Sequence, residues 1–215
     1  IRVIRPEGPW HGRRVPEGYY GGETFLSRAP IGEFDYFTAQ HQEWSVLTDW
    51  ARKTSTSPVA FGGSSLGAQS AQMASIRARD WPKHLQPDAL FLMTHCEHVG
   101  DVATDSDLSD IWGLHEPLAK LGWRKDMQKD WLDKLDPPGA PVMPPERIVS
   151  ILGRHDRVTH YASGQRLQEK WGLPAENRFS WPCGHFTVPL RLGRDARPLD
   201  RLRTIFDDIA AQGQQ

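Results

Sequence analysis

The sequence predicts an α/β fold, a mostly parallel sheet with helices on both faces, and three observations predict it. Short apolar runs with β-branched residues alternate with longer stretches of helical period. One of these runs, Val59-Ala60-Phe61, leads straight into a glycine-rich turn and then a stretch of small side chains, which is strand, turn, helix. The length, 215 residues, suits one hydrophobic core with an insertion rather than two domains.

Taken in order, Ile1–Ile4 reads as a first strand, followed by a loop dense in Gly, Pro and Arg from Pro6 to Gly22. Asp35 is placed to cap a helix running to about Lys53, with Phe37, Trp44, Leu47 and Trp50 on its buried face. Val59–Phe61 is the next strand, and Ala68–Ile76 the closely packed helix after the turn. Ala89–Met93 is a compact strand. The polar, Trp-bearing stretch from Gly100 to Pro145 reads as an insertion, with helical period around Leu114–Leu121 and Met127–Leu135 and a Pro-rich linker at Pro137–Pro141. The sheet resumes at Ile148–Leu152, a helix follows from Thr159 to Trp171, Asn177–Trp181 is the last strand, and Leu199–Ala211 is a closing amphipathic helix. The expected organisation is therefore a core of residues 1–99 and 146–215 with a cap, or lid, of residues 100–145.

Gly63-Ser64-Ser65-Leu66-Gly67 matches G-x-S-x-G between an expected strand and an expected helix. Such a turn lifts its central serine clear of the sheet, with glycines on either side giving strand and helix room to approach. The N–H of Leu66, at the start of the helix, then faces the place where an oxyanion would form. A serine nucleophile needs a base and an acid, which this topology takes from turns after later strands in the order Ser, acid, His. Asp156 lies four residues after Leu152, and His185 four residues after Trp181.

With these motifs the chain resembles the α/β-hydrolase superfamily from its first strand to its last helix. The resemblance implies Ser65 as nucleophile, Asp156 as acid, His185 as base and the insertion as a cap. It also implies a second oxyanion donor in Pro9-Trp10-His11-Gly12-Arg13-Arg14, with the backbone N–H of Gly12 or Arg13 as candidate. His11-Gly12-Arg13-Arg14 with Gly18-Tyr19-Tyr20-Gly21-Gly22-Glu23 is similar to bacterial relatives of the eighteenth abhydrolase-domain-containing group. The family places more strands ahead of the oxyanion loop than Ile1–Ile4, the one expected here.

The implied activity is cleavage of a carboxylic ester or related acyl bond through an acyl-enzyme, with no metal and no organic cofactor expected. The rival is a catalytically silent binding or scaffold protein on the same fold. A formal charge of −1 gives no electrostatic reason to expect nucleic acid, so a small-molecule ester or acyl substrate is the expected partner. No run approaches a membrane span, and the opening residues are too charged for a signal peptide. A soluble, cytoplasmic protein is expected. The chain opens on Ile1 within an expected strand, so a preceding part is read as missing.

Other signals carry less. His95-Cys96-Glu97-His98 invites a metal reading, but adjacent residues on a strand end point to opposite faces, and His95 is read instead as pocket lining, with His11. The Asp101–Asp110 run has Asp110 where a calcium loop needs Gly; it reads as a solvated loop, with Asp101 or Asp105 as an alternative triad acid. Among nine tryptophans, Trp112, Trp123 and Trp131 lie in the cap and are candidates for an apolar pocket, Trp112 first. Sequence does not decide whether Cys96 and Cys183 pair.

Overall fold

The computed structural model describes residues 1–113, 115–120, 122–136 and 139–212, without the side chains of residues 112, 115, 117, 118, 125, 128 and 129. Among these residues a 3-10 turn (Gly12–Arg14) precedes the first α-helix, the short α1 (Glu23–Ser27), which is followed by the long α2 (Ile31–Thr54). Strand β1 (Ala60–Ser64) leads into α3 (Leu66–Arg77), and β2 (Ala89–Met93) into four short helices: α4 (Val99–Asp105), α5 (Asp107–Trp112), α6 (His115–Lys120) and α7 (Lys125–Leu132). The chain continues with β3 (Ile148–Gly153), α8 (Tyr161–Lys170), β4 (Arg178–Trp181), α9 (Val188–Leu192) and α10 (Arg197–Gln212). The strands pair in sequence order, β1-β2-β3-β4, all parallel.

Alternation along the strands explains why both faces need helices. Phe61, Leu90, Leu92 and Ile148 point to one side, where α3 and α8 cover them with Ala68, Ala71, Ala74, Leu167 and Trp171. Ala89, Phe91, Val149 and Ile151 point to the other, under Val188 of α9 and Leu202 and Ile205 of α10. This is the α/β class expected from the alternating runs. A third cluster joins Tyr36 and Phe37 of α2 and Met73 of α3 to Leu132 and Leu135, at the far end of the segment between β2 and β3. No helix among the described residues is long and apolar enough to cross a membrane.

Several expectations are corrected. Ile1–Ile4 is not a strand: no sheet edge pairs with it, and Ile1 and Val3 stand 61% and 79% exposed. Helix α2 starts before Asp35, which lies on its exposed surface near Arg28 (3.9 Å), and Trp50 is exposed. Its buried face is more polar than the Phe37–Trp50 stripe suggested, carrying Glu33, Tyr36, Phe37, Gln40, His41 and Thr48. The Asp101–Asp110 run folds into α4 and α5, with Ser106 Oγ accepting from the N–H groups of Leu108 and Ser109 as the cap of α5. Leu114, Leu121, Pro137 and Pro138, ends of an expected helix and part of an expected linker, lie outside the described residues. Cys96 and Cys183 are both free thiols, Cys96 buried.

Candidate active site

Parallel strands bring the turns after their carboxyl ends to one edge of the sheet, and the candidate residues occupy four such turns. After β1, Ser65 has φ 54° and ψ −121°, a conformation that costs a non-glycine residue about 1–3 kcal/mol and persists only where its surroundings impose it. Its surroundings do so. The N–H of Ser65 donates to Met93 O and to Thr94 Oγ1, each at 3.0 Å, while Thr94 Oγ1 donates to Met93 O (2.8 Å) and lies 3.0 Å from Ser64 Oγ. The end of β2 therefore holds the turn after β1. A Cβ on Gly63 would sit 2.6 Å from Gly67 O and 2.8 Å from Ala68 N, so the strand-to-helix approach requires glycine there. Gly67 faces open space, and the room expected to depend on both glycines depends on the first.

Ser65 Oγ lies 2.8 Å from His185 Nε2, and His185 Nδ1 lies 2.9 Å from Asp156 Oδ2. Both His185 and Asp156 are buried. Asp156 follows β3, and its Oδ1 accepts from the N–H groups of Val158 (2.8 Å) and Thr159 (3.0 Å), its Oδ2 from Thr159 Oγ1 (2.9 Å). Burial alone pushes this carboxyl up, but the bonds from His185, Val158 and Thr159 outweigh it and hold the group below the usual carboxylate range. An ionised acid beside Nδ1 fixes the imidazole proton on that nitrogen and leaves Nε2 to accept from the serine hydroxyl. The turns after β3 and β4 are locked to each other, since Arg154 N–H donates to Trp181 O and His155 N–H to Cys183 O. A Cβ at Gly153 would press to 2.5 Å from Cys183 O.

The structure thus brings together Ser65, Asp156 and His185, three residues expected from turn positions; the acid beside His185 is Asp156, not Asp101 or Asp105. The N–H of Leu66 is at the first residue of α3, where no carbonyl of the helix accepts it. In the early loop the Arg13 N–H donates to Glu7 Oε2 at 3.0 Å, so it is not free for an oxyanion, which corrects that expectation. The N–H of Gly12 has no such partner among the described residues. Trp10 of the same loop packs in the apolar cluster that includes Leu66.

The pocket-lining expectations fare differently. His11 bonds Pro9 O through Nδ1 (2.8 Å) and sits edge-on to Tyr36. His95 does not line an open site: it is 2% exposed, Nε2 is 2.6 Å from Ser150 Oγ, and burial lowers its pKa to about 4, against the raising effect of Asp156. The side chain of Trp112 lies outside the described residues, and Trp131 is 45% exposed. Phe186, edge-on to His185 at 5.0 Å and 70% exposed, stands at the site without having been singled out in the sequence. Thr94 and Thr159 were also missed. Thr159 had a local signal, an Asp-x-x-Thr turn in which the acid caps the following N–H groups; Thr94 acts through strand register, which has none.

No family model matches the chain, and no curated protein matches it in sequence. Among solved structures it is similar to a protein assigned to the alpha/beta superfamily of hydrolases from Xanthomonas campestris pv. campestris, at 17% identity over 90% of this chain and 80% of that one, TM-score 0.46. It is also similar to a type II thioesterase from the borrelidin biosynthetic cluster (20%, 75% and 70%, TM-score 0.44). A meta-cleavage product hydrolase from Pseudomonas fluorescens IP01 gives 17%, 91% and 75%, TM-score 0.42. At these values the likenesses carry no functional conclusion.

Proposed function

We propose that this chain is a serine hydrolase of the α/β-hydrolase type, cleaving a carboxylic ester or related acyl bond of a small molecule. The observation that carries the reading is the unbroken hydrogen-bond path from Ser65 Oγ through His185 to Asp156, starting at a serine held with positive φ at the head of a helix. Ser65 Oγ attacks the acyl carbon and passes its proton to His185 Nε2, while the Asp156 carboxylate stabilises the imidazolium. The carbonyl oxygen takes the negative charge, facing the Leu66 N–H, with Gly12 N–H as the second donor in place of Arg13. Collapse expels the leaving group, which takes the proton back from His185 and leaves an acyl-serine. Water, deprotonated by the same imidazole, then releases the acid and restores the hydroxyl.

In this reading residues 1–99 and 146–215 form the core, and residues 100–145 are a cap. The buried packing of Leu132 and Leu135 on α2 and α3 supports a fixed base for that cap. The test is a fluorophosphonate probe. Covalent labelling of the wild-type protein, absent in Ser65→Ala and strongly reduced in His185→Ala, is the expected result. Failure to label a protein with intact near-UV circular dichroism would favour a silent binding protein on the same fold.

A further inference from the structure

We propose that His98, Asp133 and Asp136 form a binding site for one divalent transition-metal ion, best matched by zinc, that clasps the two ends of the segment between β2 and β3. His98 stands immediately before α4, where that segment leaves the sheet; Asp133 and Asp136 follow α7, where it returns. One ring nitrogen of the histidine and one oxygen of each carboxylate lie within 4.8 Å of one another. Zinc bound tetrahedrally at about 2.0–2.2 Å from nitrogen and oxygen separates its ligand atoms by roughly 3.4 Å. His98 Nδ1 and Asp136 Oδ2, 3.2 Å apart, are already at that spacing, and Asp133 is exposed.

Three features beyond the cluster fit a metal. Glu97 Oε1 lies 3.7 Å from His98 Nε2, a carboxylate facing the other ring nitrogen, and it is fixed by Arg166 and Lys170, each at 3.2 Å. Without metal the nearer Asp136 Oδ2 accepts from His98 Nδ1; an ion that takes Nδ1 displaces that proton to Nε2, on the side where Glu97 stands, the place a supporting carboxylate takes beside metal-bound histidines. The Asp136 carboxylate is oriented through Oδ1 by Gln69 Nε2 (3.3 Å) and Val99 N–H (3.4 Å), leaving Oδ2 toward the histidine. Among the described residues neither Asp133 nor Asp136 has a Lys or Arg partner, so two adjacent carboxylates face each other with a single imidazole between them. A dication would balance the two carboxylates. Binding at Nδ1 takes the neutral imidazole and two carboxylates and releases any proton shared between His98 and Asp136. The remaining coordination position is filled by water. Gln69 also donates its N–H to Ser65 O, so the clasp abuts the first turn of α3.

The test titrates chelator-treated protein with zinc chloride by calorimetry and with cobalt chloride by visible absorption. One-to-one zinc binding at micromolar Kd or tighter and a cobalt band of tetrahedral intensity are expected. His98→Ala should weaken zinc about 100-fold or more, and Glu97→Gln about 10–100-fold through loss of its support to the imidazole. Asp133→Asn, at an exposed position that leaves folding intact, should weaken it about 10-fold. Ser65→Ala should bind as the wild type does, which separates this inference from the proposed hydrolase activity. Absence of saturable binding below about 100 µM, or binding that persists unchanged in folded His98→Ala and Asp133→Asn, overturns the proposal.

Discussion

Asp156 is buried, yet four donors converge on its two oxygens, and the balance between desolvation and those donors sets its charge. Because its folded pKa is lowered, the ionised form stabilises the fold at neutral pH; that contribution is lost as pH falls below the ordinary value of about 3.9 toward the folded one. Denaturant titrations between pH 6 and 2 should therefore show an acid limb that is shallower in Asp156→Asn. The same substitution offers Nδ1 an amide N–H2 where it had an acceptor, and ester turnover should fall by about 10⁴, the scale seen when a triad acid loses its charge. Thr159→Val removes one donor to Oδ2 but keeps both backbone bonds. A smaller loss of kcat, with the acid limb of the pH–rate profile displaced and Thr159→Ser restoring it, is expected. The positions of Ser65, Asp156 and His185 were legible because each stands in a turn directly after an apolar strand, a pattern local to a few residues. Arg13 was misread because its N–H is claimed by Glu7, six residues away, through a loop conformation that composition does not encode.

At the scale of elements, β1 and α3 meet so closely at Gly63 that a single methyl has no room, whereas Gly67 has space around its Cα. Gly63→Ala should lower stability by several kcal/mol or abolish folding, while Gly67→Ala should change it by less than about 1 kcal/mol; thermal melts of the two variants make the comparison. Helix α2 presents the opposite problem, a buried face on which Glu33 Oε2, Gln40 Oε1 and both His41 nitrogens have no hydrogen-bond partner among the described residues. Burial raises the Glu33 pKa to about 7. A carboxyl with a raised folded pKa favours the fold while it is protonated, so its effect worsens as pH rises from about 4.5 to 7. Glu33→Gln should accordingly raise the melting temperature at pH 8 relative to wild type by more than it does at pH 4, with a free-energy difference on the order of 2–3 kcal/mol. Strands β1 to β4, α3 and α8 were legible from apolar runs and period, whereas α4 and α5 were read as a loop. The polar face of α2 was not, since periodicity finds apolar stripes and is silent about buried polar ones. Ile1–Ile4 had the composition of a strand, but strand pairing is a property of two segments, and no strand edge pairs with it here.

For the whole molecule, the arrangement follows from parallel pairing in sequence order, which gathers the turns after all four strands on one side. Ser65 and His185 are 120 positions apart in the chain and touch only because β2 and β3 lie between their strands. An unfolded or half-assembled chain brings them within reach only rarely, since closing so long a loop has a large entropic cost and no local contact compensates for it. On the proposed function, chemical competence is then a late event. During refolding, helical signal should return first, and capture of an electrophile at the serine should appear only with the slowest phase, so that reactivity serves as a clock for completion of the sheet.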